Sequence, residues 1–379
     1  MEKKNVLIYP CGTDEGLELN KALGQMIHYR LFGLGQHNID RGEHIFFNHI
    51  GSLEQDSSNF IEQLSNIVNK FEIDFIYPAS FEALLILSRF RTIDRAEVVA
   101  PSYETCAVCC SKQAMTARLQ GCVDIVDLSN SHGGSEYTAI CLTDRHGTLK
   151  FMRSVEELSS IIIESDLDEQ KKQLLQQTAH SINDKLQLRG SWTFRFAFTD
   201  EVELLVCNIT PGYSAIMDFY RNKGVNLATL SLFDQMGHDI EIRDRELGIE
   251  AAILPSKRYR IDYEYDDVYV DLDDTILVNN LVNPLMIAFL YQCRNRGKMI
   301  HLITKHRYEL SETLEKHKIH ALFDNIIWLK SFDQKSLHMK SERAIFIDDA
   351  FSERKQVSER LGIPTFEVSA VESLMDWRL

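Results

Sequence analysis

Three observations predict a multidomain protein of α/β and α+β class. Apolar strands alternate with amphipathic helices over residues 1–105, hairpins replace that alternation over 106–250, and a second strand–helix alternation runs from 267 to 379. Alternation calls for parallel sheets with helices on their faces, whereas hairpins build antiparallel ones. At 379 residues and 44% hydrophobic content, the chain can bury two or three cores of ordinary size.

Each element follows from its own pattern. "NVLIYPCG" reads as a strand entering a turn, "LNKALGQMIHYRLFGLG" as largely helical, and "GEHIFFNHI" as a second strand. Helix "NFIEQLSNIVNKF", strand "IDFIYPA", helix "FEALLILSRF" and strand "AEVVAP" complete the first domain. "CGTDEG" lacks a full dinucleotide or phosphate-loop pattern and reads as a plain turn. In the middle region, "YTAICLTD" and "TLKFMRS" form a hairpin about "RHG". The helix "DEQKKQLLQQTAHSINDKLQL" then precedes strands "WTFRFAFT" and "VELLVCNI". "NSHGGSEY" reads as a surface loop, with an anion cradle of backbone donors as the other reading. Residues 251–266 read as a connector. Beyond it, "DVYVDL", "MIHLIT", "NIIWL", "RAIFID" and "PTFEV" are strands, and "NPLMIAFLYQCRNRG", "RYELSETLEKHKI" and "FSERKQVSERLG" are helices. Ligands are expected beyond the carboxyl ends of such parallel strands.

A net charge of -15 and a pI near 5.4 weaken attraction to polyanions, so no nucleic-acid partner is expected. "MEKKNVLIYP" has no apolar run of signal-peptide length, and no stretch approaches the roughly 20 apolar residues of a membrane span. A cytoplasmic location is the resulting expectation. Of the eight cysteines, only those of "CAVCC" are closely spaced; without a second pair they read as core residues, not zinc ligands.

The chemistry concentrates near the end of the chain. Asp271, Asp273 and Asp274 follow "VYV", and Asp348 and Asp349 follow "AIFI", so two apolar strands deliver carboxylates to one rim. Their repulsion calls for a hard cation, and Mg2+ suits a few carboxylate oxygens with retained waters. Thr304 ends another apolar strand and is placed to donate to a phosphate oxygen, while Lys335 or Lys340 compensates oxyanion charge.

In this order the residues resemble the haloacid dehalogenase-like phosphatase superfamily: "DLDDT" its first motif, the run ending at Thr304 its second, a Lys within 335–340 its third and "IDD" its fourth. The resemblance implies a capless three-layer Rossmann-like domain over 267–379. It implies Asp271 as nucleophile, Asp273 as general acid and base, and Thr304 and Lys335 as phosphate-binding residues, Lys335 preferred to Lys340 on family spacing. Mg2+ would be held by Asp271, Asp273, Asp348 and Asp349. The expected reaction is magnesium-dependent phosphomonoester hydrolysis through an aspartyl-phosphate, a positioned carboxyl serving first as acid and then as base. The expected substrate is a phosphorylated small metabolite or a bulky phosphomonoester.

The front resembles the ATP-grasp superfamily, especially relatives of the large subunit of carbamoyl phosphate synthetase. "VAPSYETCAVCCSKQAMTARL", "GGSEYTAICLTDRHGTLKFMRS", "LRGSWTFRFAFTDEVELLVCNITPGYSA" and "NKGVNLATLSLFDQMG" carry the likeness. It implies a pre-ATP-grasp-like domain over 1–105 and a shortened ATP-grasp-like domain over 106–250. After Lys112 too few residues precede the glycine–glutamate segment to form the subdomain that covers ATP. At the closing strand Asn208 is kept, but Val206 or Cys207 stands where the family has a metal-binding Glu. Lys112, Glu136 and Asn208 are thus candidate ligand residues, ATP is expected to be an unlikely ligand, and the front is expected to serve substrate recognition, capping or formation of a homodimer. The alternatives are an ATP-dependent ligase with auxiliary phosphatase activity, or a noncatalytic protein that binds a phosphoryl ligand.

Overall fold

The computed structural model describes residues 3–36, 41–126, 136–158, 160–243, 247–252, 258–340 and 342–376. The loop read in "NSHGGSEY" lies almost wholly outside them. The chain forms two compact units: the first comprises Met1–Gly24, His28–Tyr220 and Val225–Arg243; the second comprises Gln25–Ile27, Arg221–Gly224 and Asp244–Leu379.

The first unit opens with β1 (Lys4–Tyr9), α1 (Asp14–Leu23), β2 (Tyr29–Gly35) and β3 (His49–Ser52). The segment read as one long helix therefore divides. Helix α1 ends at Leu23, and "YRLFGLG" becomes a strand that is buried at every position but Arg30 and pairs in parallel with β1. Burial on both faces suits a central strand and hides the alternation that would have marked it. Likewise only the last two residues of the next expected strand are extended, in β3, since Arg41–His44 forms a 3-10 turn. There follow α2 (Phe60–Lys70), β4 (Phe75–Pro78), α3 (Phe81–Leu87), β5 (Thr92–Ile93) and β6 (Ala96–Val98). The sheet order is β3-β2-β1-β4-β6-β5, parallel except for the β5–β6 pair.

Helices α4 (Tyr103–Cys109) and α5 (Lys112–Leu119) lead to β7 (Asp124–Ile125), β8 (Glu136–Thr143), β9 (Leu149–Leu158) and β10 (Ile161–Glu164). Then come α6 (Glu169–Leu186), β11 (Gly190–Phe198), β12 (Leu204–Pro211), α7 (Asp218–Asn222) and α8 (Leu227–Gln235). Within this unit the second sheet runs β10-β9-β8-β11-β12-β7 and is antiparallel but for β7 on β12. Asp168 starts α6 by accepting from Lys171 N at 2.9 Å, an N-cap that satisfies an otherwise orphaned donor. The apolar face of α6, with Leu175, Ala179 and Ile182, packs on Trp192, Phe194 and Phe196 of β11. All eight cysteines are free thiols, and burial raises those of Cys106 and Cys109 to about 11 and about 12, as expected of core residues.

In the second unit β13 (Ile249–Ala252) and β14 (Arg258–Ile261) form an antiparallel pair, so part of the expected connector is sheet. Next come β15 (Asp267–Val270), β16 (Leu277–Val278), β17 (Leu281–Val282), α9 (Pro284–Asn295), β18 (Met299–Thr304) and α10 (Leu310–Lys316). The unit ends with β19 (Asn325–Trp328), β20 (Ala344–Ile347), α11 (Phe351–Leu361) and β21 (Thr365–Phe366). Five of these strands form a parallel sheet in the order β19-β18-β15-β20-β21. Val268, Val270, Leu302 and Ile347 face one apolar cluster with α9, while Tyr269, Ile303 and Phe346 face another with Val357 of α11. This period of two, apolar on both faces, explains why the strands read as unbroken apolar runs. Every carboxyl end of β15, β18 and β20 consequently delivers its next residues to the same rim. Among the described residues, no helix is long and apolar enough to cross a membrane.

Candidate functional site

At the rim of the second unit, Asp271 follows β15 and Asp348 follows β20, 5% and 1% exposed respectively. Lys335, 3% exposed, reaches both: its Nζ is 2.5 Å from Asp271 Oδ1 and 2.7 Å from Asp348 Oδ2. One carboxylate oxygen each of Asp271, Asp348 and Asp349 lies within 4.8 Å of the other two, a set of hard donors that fits Mg2+. Burial raises the Asp271 carboxyl well above the usual range against the pull of Lys335, with Asp348 adding to the rise. For Lys335 burial acts downward, but Asp271 and Asp348 outweigh it and hold the ammonium charged. Three acidic groups thus face one cation, and a divalent ion would complete the balance.

The remaining expected residues sort clearly. Thr304, fully buried, accepts from His306 N at 3.2 Å. Asp273 turns outward, its side chain 50% exposed, and both of its oxygens lie 2.9 Å from His306 Nδ1. Its carboxylate is not part of the three-residue cluster. Lys340 stands elsewhere, 3.3 Å from Asp267 Oδ1. Three groups escaped the sequence reading. Thr275 Oγ1 accepts from Asp349 N at 3.1 Å, the Arg354 guanidinium donates to the carbonyls of Asp348 and Asp349 at 2.7 and 2.6 Å, and His306 orients Asp273. Thr275 closes "DLDDT" and was visible there; His306 and Arg354 carry no local pattern.

Asp349 yields a direct prediction. Burial, then Asp348 and Asp274, raise its carboxyl from 3.8 to about 6. The folded state therefore holds this proton more tightly than the unfolded state. Its contribution is fully present below about pH 4 and lost as pH rises through 6, a loss of roughly 3 kcal/mol. In EDTA at pH 7.5 Asp349→Asn is expected to melt several degrees above the parent, the two converging near pH 4; parallel melting curves at both pH values would contradict this.

In the first unit, Arg195 of β11 lies opposite Asn208 of β12 and pairs with Glu136 of β8. Asn208 Nδ2 donates to Thr210 Oγ1 at 3.2 Å, Val206 is buried, and Lys112 opens α5. Arg195 is a fourth residue the sequence reading passed over, since an Arg in an alternating strand reads as a solvated position. A small depression with room for about one water lies beyond the carboxyl ends of β4 and β6, lined by Tyr77, Arg189, Ser191, Gly212, Ser231 and Asp234 among others. Tyr77 and Ser231 hydroxyls are buried there without a hydrogen bond of ordinary geometry, although Ser231 and Ser191 face Tyr77. Burial raises the Tyr77 phenol to about 12, so it remains a donor at neutral pH.

No family model and no curated protein matches this sequence. Solved structures do match. A complete multifunctional pyruvate carboxylase from Rhizobium etli aligns over 66% of this chain and 30% of its own, with a TM-score of 0.53 and 10% identity. The biotin carboxylase of Campylobacter jejuni, in a complex named for β,γ-ATP, aligns over 66% of this chain and 75% of its own, TM-score 0.52 and 10% identity. The biotin carboxylase domain dimer of Hydrogenobacter thermophilus 2-oxoglutarate carboxylase, with MgADP, ADP and bicarbonate, aligns over 66% and 74%, TM-score 0.54 and 8% identity.

The chain carries an ATP-grasp, biotin-carboxylase-like fold. It spans less than a third of the length of the pyruvate carboxylase it matches.

This likeness corrects three expectations. The main reading, a magnesium-dependent phosphatase working through an aspartyl-phosphate, is overturned: the matched folds are carboxylases, and they give no support to a separate domain of the haloacid dehalogenase type. The acidic rim itself supplies a physical reason. Lys335 occupies one oxygen of Asp271, burial favours its protonated and weakly nucleophilic form, and Asp273 is turned onto His306. With it falls the description of the chain as a hydrolase. The expectation that ATP is an unlikely ligand is corrected by the same comparison, since two of the matched ATP-grasp structures are named for nucleotide complexes.

Proposed function

We propose that the protein is an ATP-dependent, carboxylate-activating ligase, with ATP taken by the sheet face of the first unit and an auxiliary site for Mg2+ and a phosphoryl-bearing ligand in the second. The observation that carries the first part is the ATP-grasp fold over two thirds of the chain, shared with proteins solved as nucleotide complexes. In such a reaction a carboxylate oxygen attacks the γ-phosphorus, ADP departs, and the acyl phosphate is consumed by a nucleophile that releases phosphate. Arg195 is suited to the polyphosphate, because a guanidinium beside Asn208 offers a charge-assisted fork of donors.

In the second unit Asp271, Asp348 and Asp349 would hold Mg2+, with Thr304 and Lys335 toward the phosphoryl oxygens. When bound, the ion supplies charge neutralisation between those carboxylates and a phosphate. The Lys335 clamp and the Asp273–His306 pair favour holding over turnover at this rim.

Calorimetric titration of the full chain with ATP, with and without Mg2+, tests the reading. Binding is expected in the micromolar to millimolar range, weakened about tenfold or more in Arg195→Ala. Absence of ATP binding in both buffers would overturn the ligase.

A further inference from the structure

Beyond the carboxyl ends of β4 and β6 the first unit buries three hydroxyls that the proposed function does not use. Tyr77 of β4 is 1% exposed, and Ser191 of β11 and Ser231 of α8 are each 3% exposed. Both serines face the Tyr77 phenol, yet neither the Tyr77 nor the Ser231 hydroxyl has a hydrogen bond of ordinary geometry. Buried polar groups are nearly always paired, because an orphaned donor or acceptor forfeits the bond it made to solvent in the unfolded chain. Two such groups in the lining of one small depression call for a shared partner.

The depression itself selects that partner. Its charged lining, Arg189 and Asp234, is already balanced: Asp234 accepts from Arg189 Nε at 3.1 Å and from Arg145 N at 2.7 Å. Gln235, also in the lining, donates from Nε2 to Glu97 Oε2 at 2.7 Å. An ion entering there would find no opposite charge left over. The phenol keeps its proton at neutral pH, since burial raises it to about 12, so the polar groups that remain are neutral hydroxyls able both to donate and to accept. Space is equally restrictive. Val99, Ala100 and Pro101 wall the depression, Tyr213 stands edge-on to the Tyr77 ring, and the room left suits about one water. A β-carbon on Gly190, which shares the lining at φ 72°, would come within 3.7 Å of Ser231 Oγ, so glycine leaves that hydroxyl open to the depression.

We infer that one ordered water is bound here, held by the hydroxyls of Tyr77, Ser191 and Ser231. Its partners come from β4 of the first sheet, β11 of the second and α8, so the water fastens the two sheets of this unit to each other and to the helix. Three hydroxyls satisfy a water well, since internal waters make about three hydrogen bonds each.

The test joins a high-resolution crystal structure of the full chain with measurements in solution. Solvent density is expected within hydrogen-bond distance of the Tyr77 phenol and of at least one of the two serines. A direct hydrogen bond of ordinary length from the Tyr77 phenol to Ser191 or Ser231, with no solvent between them, would overturn the inference, and so would an anion or a metal ion at the site. In solution, oxygen-17 relaxation dispersion, which counts ordered internal waters, is expected to give one fewer in Ser231→Val than in the parent, the valine methyls taking the water's place; equal counts would overturn it. Tyr77→Phe keeps the ring and its packing in case Ser231→Val does not fold. It is expected to lower the melting temperature of the first unit by about 2–4 °C, because the water loses a partner. A Tyr77→Phe chain that melts at or above the parent would show that the phenol has no partner at all and would equally sink the water.

Discussion

Replacing Lys335 by Met is expected to destabilise the second unit by about 3–5 kcal/mol in metal-free buffer at neutral pH, the usual cost of removing one partner from a buried ionic cluster. Lys335 is 3% exposed and lies 2.5 and 2.7 Å from two carboxylates that are nearly as buried. A methionine fills much of the volume and removes the charge, so the loss reports electrostatics more than packing. Two further measurements separate the causes. Adding Asp271→Asn to Lys335→Met is expected to restore much of the stability, because it removes a carboxylate along with its counterion. Millimolar Mg2+ is expected to raise the melting temperature of Lys335→Met more than that of the parent, since the ion takes over the compensation. A variant that melts like the parent in EDTA would show that the cluster is already neutral through its protons.

Trp192→Ala is expected to cost the first unit about 3–5 kcal/mol, the range for truncating a buried aromatic side chain to Ala. Trp192 is fully buried on β11, its ring 5.8 Å from that of Phe194. Its Nε1 donates to Thr143 Oγ1 at 3.0 Å, Thr143 donates to Asn183 Oδ1 at 2.6 Å, and Asn183 Nδ2 donates to the Gly147 carbonyl at 2.8 Å. One chain of bonds thus joins β11, β8, α6 and the β8–β9 turn. Trp192→Phe keeps most of the apolar contact and loses only the first bond, so a loss of about 1 kcal/mol is expected. The two variants are compared by thermal melting with the two units' transitions resolved, because a two-unit chain need not unfold in one step. Since this sheet is the proposed seat of ATP, Trp192→Ala is also expected to weaken ATP binding, whereas Lys335→Met is not. A loss of ATP affinity in Lys335→Met alone would place the nucleotide in the second unit only.

Much of the fold was legible where the signal is local. Helix α2 and the strands β4, β11, β15 and β20 lie where the pattern put them, because a period of 3.6 or a short apolar run bounded by polar or turn residues shows within a few residues. Strand β2 was misread as the end of a helix because it is buried on both faces and follows α1 with no strong turn signal between the two apolar patterns. At the acidic rim, Asp271, Asp348 and Asp349 were readable together, each following an apolar strand, and the structure does bring them together. His306, Arg354 and Arg195 were not, for their roles depend on partners 33, 5 and 59 residues away, reached across loops or neighbouring strands.

The chemistry assigned to that rim is the sharper lesson. The order of motifs led to a phosphatase, whereas the fold over two thirds of the chain is that of nucleotide-binding carboxylases at 8–12% identity. At that divergence sheet order and packing persist after side-chain patterns have been replaced, because a fold needs only apolar residues of suitable volume at its core positions.

The amino-acid order therefore determined the strands and helices, the acidic balance and the meeting of three carboxylates at strand ends, since each depends on residues close in the chain or on the direction of a strand. Tertiary structure alone decided that Asp273 turns to His306 and that Arg195 meets Glu136. Those pairings depend on sheet register and on where connecting loops return, and both are set by the packing of distant apolar faces.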